Sequence, residues 1–530
     1  MGYFVQVFHI VGAGFLANKV TAVVGGANKG TWLASIMGIA AASLGPPVSQ
    51  AADYWGRKWF VVGLSAGSCV GCIIVSRADT IGVVIAGQAI GALSQGCQPT
   101  IHAIASEILP RKYRPLAQSS VNVAAALGGA IGLLAGGALT VNNANGFRVY
   151  WYIAAGMYAI TAFIIFLLYN PPVRELQTRY TQLEKLARLD WIGYFFLVGG
   201  LVLFSFSLTS AIQIYAWKSA NIIAPLVIGV TMLIAFFVYE WRFTRTGVLH
   251  HDLFSRGRNF AIAELCIFVE GMSFFASNQY YGFEIVAIYQ QNQFKAGLYY
   301  TVAWFTLVIA TICAGLYCSR FKSIRLPVMV AFTSFALYNA LMASLQLSTR
   351  VNTLGYAVFL GIGLGIALNA LVTVAQLSTP PELISTTTGL MIATRSFGGT
   401  VGLSIYTAIF SSTLSDNLGQ KVAAAALPLG LKPQYLGELI GGLTTGNTAL
   451  LTSIPGISPT ILGAAGKAVR QSYLLGFRYV WVTAGVFAAL AVIGAAFLVD
   501  PKAEFTGHID APVESEEELH RGHGKASGQV

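Results

Sequence analysis

The chain alternates long apolar stretches with short polar turns, and that alternation is its dominant signal. Fourteen windows of about 20 residues, the length that spans a bilayer core as a helix, fall near 3–23, 32–51, 59–76, 80–104, 116–140, 149–169, 191–211, 220–240, 258–280, 296–317, 326–346, 353–376, 387–411 and 476–499. In hydrocarbon a backbone must satisfy its own hydrogen bonds, which leaves the helix as the solution for such runs. The pattern predicts an all-α polytopic membrane protein of about 14 transmembrane helices. Six spans fill 1–169, two more follow a polar linker within 170–257, and six fill 258–499. Three stretches stand outside the spans. Residues 170–190 carry charges at helical spacing (Arg174, Glu175, Arg179, Glu184, Lys185, Arg188). Residues 412–475 read as a long outer loop rich in Gly, Ala, Thr and Pro, with a helix from Ala465 into the final span. The tail 500–530 is polar, with an acidic run at Glu514, Glu516, Glu517 and Glu518, and is predicted to be disordered.

Composition agrees. Hydrophobic residues make up 55% and charged residues 10% of the 530, against about 25% charged in soluble domains. The net charge of +11 raises nucleic acid as a partner, but no basic block or recognition motif accompanies it. The positives sit in turns on one side: Arg57 and Lys58; Arg111, Lys112 and Arg114; the 174–188 group; Arg242, Arg245, Arg256 and Arg258; Arg320, Lys322 and Arg325. Opposite turns hold single charges such as Lys19, Arg148 and Arg350. The positive-inside rule makes the first set cytoplasmic, and an even number of spans puts both termini there too. Cys69 and Cys72 have metal-like spacing without a companion histidine, which reads as helix packing. No phosphate-binding Gly-rich loop occurs, so neither ATP, a metal nor another cofactor is expected. No paired catalytic His, Ser or Asp set lies within the spans, which argues against an enzyme.

Two motifs carry more. Residues 49–59, Ser-Gln-Ala-Ala-Asp-Tyr-Trp-Gly-Arg-Lys-Trp, form a charged turn between the second and third spans, with Gly56 permitting a tight reversal. In the fifth span Gly128, Gly132, Gly136 and Gly137 place bare backbone along one helix face, where another helix can approach closely. The first motif resembles the signature loop of the major facilitator superfamily, matching at Asp53, Gly56, Arg57 and Lys58, with Ser49 in place of the leading glycine. The second resembles that superfamily's antiporter motif, with Leu133 where the family has proline. A weaker echo of the first follows the tenth span at Gly315, Ser319, Lys322 and Arg325, without the acid. Fourteen spans with Leu189-Asp-Trp-Ile-Gly resemble its drug:proton antiporter branch, and the stretch from Glu270 to Tyr289 is similar to the fungal trichothecene-efflux group. The resemblance implies two six-helix halves with two extra central helices, and it implies that Asp53, Gly56, Arg57 and Lys58 latch the halves. A membrane-embedded arginine of the family's fourth span aligns with Gly87, so that role is not carried over.

Ionisable groups inside spans are expensive and point to function. Glu270 lies about 18 Å into the ninth span at 1.5 Å per residue, near the midplane. Desolvation favours its neutral form, which suits a proton carrier. Glu264, nearer the end, is a weaker candidate that can also snorkel or pair with Arg258. Arg395, in the thirteenth span beside Gly398 and Gly399, can hold a carboxylate or an anionic substrate group. Gln88, Gln95, Gln98, His102 and Asn122 read as polar glue between helices, and Phe274, Phe275, Tyr280, Tyr281 and Phe283 as an apolar path. The expected function is a secondary active transporter, monomeric and in the plasma membrane with the vacuolar membrane as alternative. It would export a bulky hydrophobic compound in exchange for protons by alternating access. The alternative is proton-coupled uptake of a siderophore or other small molecule.

Overall fold

The computed structural model describes residues 1–26, 29–30, 32–143, 145–171, 175–211, 217–244, 247–255, 257–445 and 448–510. Arg174, Arg245, Arg256 and the acidic run from Glu514 lie outside them. Every regular element among the described residues is a helix. Helices α1 (Gly2–Phe15) and α2 (Ala17–Val24) meet at a 59° bend. They are followed by α3 (Trp32–Trp55), α4 (Arg57–Arg77), α5 (Ile81–Gly91), α6 (Gln98–Glu107), α7 (Arg114–Thr140) and α8 (Gly146–Leu168). The polar linker forms α9 (Glu175–Arg179) and α10 (Gln182–Arg188), the latter opened by a reciprocal cap between Thr181 and Glu184. A central pair, α11 (Trp191–Ser210) and α12 (Ala220–Arg242), leads through α13 (Asp252–Ser255) to the second group. That group comprises α14 (Asn259–Tyr289), α15 (Gln293–Phe321), α16 (Arg325–Ala343), α17 (Asn352–Leu377), α18 (Ile384–Ala426), α19 (Leu436–Thr445), α20 (Thr448–Ser453) and α21 (Pro459–Ala496).

Among the described residues, eleven helices are long and apolar enough to cross a membrane, and twelve if the bent pair counts as one span. Two of the fourteen predicted windows fall short of that test. At 80–104 a 3-10 turn, Ala92–Cys97, splits the run into α5 and α6. The window 387–411 lies in α18, whose first turns carry Ser385, Thr386, Thr387, Thr388, Arg395 and Ser396 on buried positions. Both helices trade apolarity for polar groups that face the interior.

Two sequence expectations are corrected. Residues 412–475 are not a loop: α18 runs on to Ala426, and α19, α20 and the start of α21 enclose a small core of Val422, Ala426, Leu439, Ile454, Ile461 and Ala465. The Gly- and Thr-rich composition hid an apolar face at helical spacing. Residues 500–510 of the tail are ordered, because their acids find partners, and the rest of the predicted disordered tail lies outside the described residues. Asp500 accepts from Ile324 N (2.7 Å), Arg325 N (2.9 Å) and the Ser323 hydroxyl (3.0 Å), and so caps α16.

The two groups of helices meet along α3–α18 and α7–α15. On α7, Gly128, Gly132 and Gly136 face α1: a Cβ on Gly128 would collide with the Phe4 carbonyl, and one on Gly132 would sit 3.3 Å from the Phe8 carbonyl oxygen. Gly137 departs from that strip. With Gly129 it faces α15, where a Cβ would lie 2.8 Å from Phe294 and 2.7 Å from Trp304 respectively. One glycine-rich helix thus lets two neighbours approach on two faces. Leu133 leaves α7 unbroken. Gly87 leaves no room for an arginine, since even a Cβ there would lie 2.9 Å from the Val75 nitrogen. The helix α11 lies over the seam between groups. Tyr194 donates to Gln50 of α3, Trp32 of α3 lies tilted against Phe206 at 5.5 Å, and Phe204 meets Phe397 of α18 at 5.3 Å. Outside it, α12 turns Ile234, Phe237 and Val238 outward.

These contacts predict that Gly128→Val destabilises the protein by at least the roughly 1–3 kcal/mol typical of overpacking. Gly156→Val, at a position with open space around it, should leave stability unchanged. Thermal unfolding of the two purified variants checks this; equal losses would contradict it.

Candidate functional site

The charged turn folds as its residue types require. Gly56 adopts φ 88°, a left-handed conformation that ends α3 and starts α4 almost without a loop. This puts Arg57 at the first turn of α4 and beneath the end of α3. Its guanidinium is 3% exposed and fully engaged on one edge. It pairs with both Glu107 oxygens, 2.6 Å from Nη2 to Oε1, and contacts Asp53 Oδ1 at 3.2 Å. Nη2 also donates to the Ser385 hydroxyl on α18 at 2.6 Å. Three elements of the first group and one of the second therefore converge on a single cation. Lys58 is not part of this: its ammonium donates to Asn170 Oδ1 at 2.5 Å and lies over Phe166 at 5.2 Å. Ser49 fills the position of the family's glycine by donating to the Gly45 carbonyl at 2.6 Å, and it sits against Gly389, where α18 lacks a side chain.

A second set of charges lies at the same end. Arg111 binds Glu504 at 2.9 Å and Asp510 at 2.7 Å, and Arg114 pairs with Asp510 while donating to the Gln376 carbonyl of α17 at 3.0 Å. Backbone bonds from Arg111 N to His508 O (2.9 Å) and Lys112 N to Thr506 O (3.0 Å) lay the chain end across the turn before α7. The echo of the signature loop has a related geometry. Lys322 ends α15 at φ 52°, as Gly56 ends α3, and Asp500 supplies the acid that the echo lacks in sequence.

Midway along the bundle, α14 and α18 cross at glycines. Gly271 lies against the Arg395 carbonyl and Gly398 against the Phe268 carbonyl, leaving no space for a Cβ at either. That close crossing brings Glu270 and Arg395 together: Nε to Oε2 is 2.5 Å and Nη2 to Oε1 is 3.0 Å. Glu270 is 0% exposed, and the guanidinium stacks on Phe274 at 4.3 Å. Tyr3, Gln95, Gln98 and Asn122 from the first group share a small chamber with this pair. On the side away from the basic end the chamber adjoins a cavity of about 360 Å³ lined by Phe15, Phe274, Phe275, Phe283 and Tyr300, with the amides of Asn18, Asn278 and Gln279. Among the described residues no charged side chain lines it. Apolar walls with a few polar groups are the usual make-up of a small-molecule pocket.

The remaining sequence candidates divide. Glu264 does not pair with Arg258. Its carboxylate is buried against Thr394 without a hydrogen bond of ordinary geometry, about 9 Å along α14 from Glu270 at 1.5 Å per residue. Gln88 and His102 are glue, bonded to His9 and to Gln118, whereas Gln95, Gln98 and Asn122 reach the chamber. Tyr280 and Tyr281 bond Thr407 and the Thr353 carbonyl instead of lining the cavity. Sequence reasoning missed Glu107, Ser385, Asp510 and Glu284. The last accepts from Trp481 Nε1 at 2.8 Å, with its other oxygen unpartnered; it lay beyond the predicted end of its span. The acid of Glu107 at the end of a span was a visible signal, while Ser385 had none.

Removing one partner of a buried ion pair costs about 3–5 kcal/mol when the other charge is stranded. Stability should therefore fall most in Arg57→Gln and less in Glu107→Gln, where Asp53 remains. It should fall by under about 1 kcal/mol in Lys58→Gln, a solvent-facing contact. Unfolding midpoints in detergent test the order; a loss in Lys58→Gln equal to that in Arg57→Gln would overturn it.

Comparison with known proteins agrees with this architecture. A family model described as Major Facilitator Superfamily matches residues 14–275. The chain is 25% identical over 426 residues to the MFS-type transporter ucsD of an Acremonium species, covering 79% of this chain and 71% of that one. It is 26% identical over 519 residues to the MFS-type efflux transporter ffsH of Aspergillus flavipes, covering 94% and 85%. Among solved structures, the proton:xylose symporter XylE superposes with a TM-score of 0.56 at 10% identity, over 98% of this chain and 97% of that one.

Proposed function

The chain belongs to the major facilitator superfamily, with transporters among its relatives, and we propose that it exports a bulky, uncharged, largely apolar compound in exchange for protons. The observation that carries this reading is the Glu270–Arg395 pair at the base of an uncharged aromatic cavity. Efflux names among the relatives favour the outward direction.

The basic end is cytoplasmic by the positive-inside rule, and the Arg57 and Arg114 contacts close it. The large cavity lies towards the other end, so this conformation is the outward-facing one. A proton entering through the cavity neutralises Glu270 and releases Arg395. A guanidinium stranded in a low-dielectric interior is costly, and this cost drives the helices towards the state that opens inward. There Glu270 loses its proton, the pair re-forms around bound substrate, and the loaded carrier returns outward. Alternating access of two helical groups around a midplane site is the motion this requires. Asp53, Gly56 and Arg57 belong to the latch that opens in the inward state, with Glu107 and Ser385 as its further members and Lys58 outside it. The glycines at 128, 132, 136 and 137 give α7 the close contacts about which it slides. The carrier acts as a monomer in the plasma membrane, with both termini in the cytoplasm.

Glu270→Gln mimics the neutral carboxyl permanently. In proteoliposomes with an imposed pH gradient, accumulation of a dialkylaminocoumarin, a neutral aromatic probe, should fall about a hundredfold or more, as expected for loss of a proton-transfer group. Undiminished gradient-driven flux in the variant would remove Glu270 from coupling, and gradient-driven movement in the opposite sense would make the carrier an importer.

A further inference from the structure

The main cavity has a side chamber. Near the basic end α3 and α18 touch, Ser49 against Gly389. Towards the other end they part, and α11 closes the gap. About 80 Å³ remains there between Ser35 and Gly38 of α3, Thr209 of α11, and Thr400, Ser404 and Thr407 of α18. Ala34, Phe275, Gln279 and Leu403 border both this space and the main cavity, so a molecule lying among the phenylalanines can reach into it. Among the described residues no charged residue lines either space.

The hydroxyls of α18 are oriented by their own helix. Thr400 donates to the Ser396 carbonyl at 3.1 Å and Ser404 to the Thr400 carbonyl at 2.9 Å, while Thr407 shares a bond of 3.0 Å with Tyr280. With their protons used in this way, Thr400 and Ser404 offer lone pairs. At about 30 Å³ per water-sized group, the chamber admits two or three heavy atoms. We propose that it is a subsite for a short hydroxyl-bearing arm of the substrate, whose O–H donates to Thr400 or Ser404 while the apolar body lies against Phe275. The substrate class is then a neutral apolar scaffold carrying an alcohol, and α11 is the outer wall of the subsite. This rests on the transport reading for the identity of the cavity, and it assigns the central helix pair a part in recognition.

The test measures binding of two dialkylaminocoumarins to the purified full chain by fluorescence, one with a 2-hydroxyethyl arm and one with a propyl arm of the same size. Wild type should bind the alcohol about tenfold tighter, the scale of one net hydrogen bond. The double variant Thr400→Val with Ser404→Ala removes the acceptors, and Thr209→Phe fills the chamber from α11. Each should abolish the preference while binding the propyl compound within about threefold of wild type, the scale of repacking a tolerant site. Equal affinities in wild type overturn the proposal, as does a preference that survives in either variant that retains propyl binding. Pumping of the coumarins under a pH gradient is read separately. Lost pumping with an intact preference would contradict the exporter reading and leave the subsite standing.

Discussion

A guanidinium buried in an apolar bundle has to be paired, and the pairing of Arg57 is the constraint around which one end of this protein is arranged. Desolvating the charge costs several kcal/mol unless good geometry and further hydrogen bonds offset it. Glu107 and Asp53 provide the countercharge within the first group of helices, and the Ser385 hydroxyl supplies a bond from the second. That last bond makes the site a junction. Its acceptor is an uncharged hydroxyl, so it is weaker than the ion pairs beside it, and the groups can part at Ser385 without stranding the charge. Strong pairing within a group and weak pairing between groups suits a contact that forms and breaks in every cycle. Arg114 differs in that its carboxylate, Asp510, comes from the chain end beyond α21, while the Gln376 carbonyl is its acceptor on the second group.

The same logic runs in reverse at the centre. Glu270 and Arg395 both belong to the second group, so their bond does not join the halves. It sets instead the charge state of the chamber floor, which Tyr3, Gln98 and Asn122 of the first group share. Glycines on α14 and α18 let the two helices cross in backbone contact beside the pair. The central pair α11–α12 adds a wall where α3 and α18 diverge, and aromatic contacts to both groups hold it at the seam.

Much of this was legible in the chain. Apolar periodicity located the helices, and charge asymmetry located the basic end. Glu270 and Arg395 stood out because charges inside spans need a reason. That they bind each other was not legible, since 125 residues separate them and a close crossing of two helices decides it. Composition misled twice. Residues 412–475 looked like a loop because small residues build their apolar face, and the chain end looked disordered because the partners of its acids lie 175 to 399 residues earlier. The split fourth window and polar α18 fail a length-and-apolarity test because their polar residues face the interior, which a one-dimensional pattern cannot distinguish from exposure.

The central claim is that the protonation state of Glu270 governs whether the Arg57 end is closed. Spin labels at Lys112→Cys, on the turn before α7, and Arg320→Cys, at the end of α15, report the separation of the two groups there by pulsed electron resonance. In lipid nanodiscs, acidification from mildly alkaline to mildly acidic buffer should lengthen that distance, and Glu270→Gln should show the long distance in both buffers. A distance that does not respond to pH, or one that responds equally in Glu270→Gln, would contradict the account.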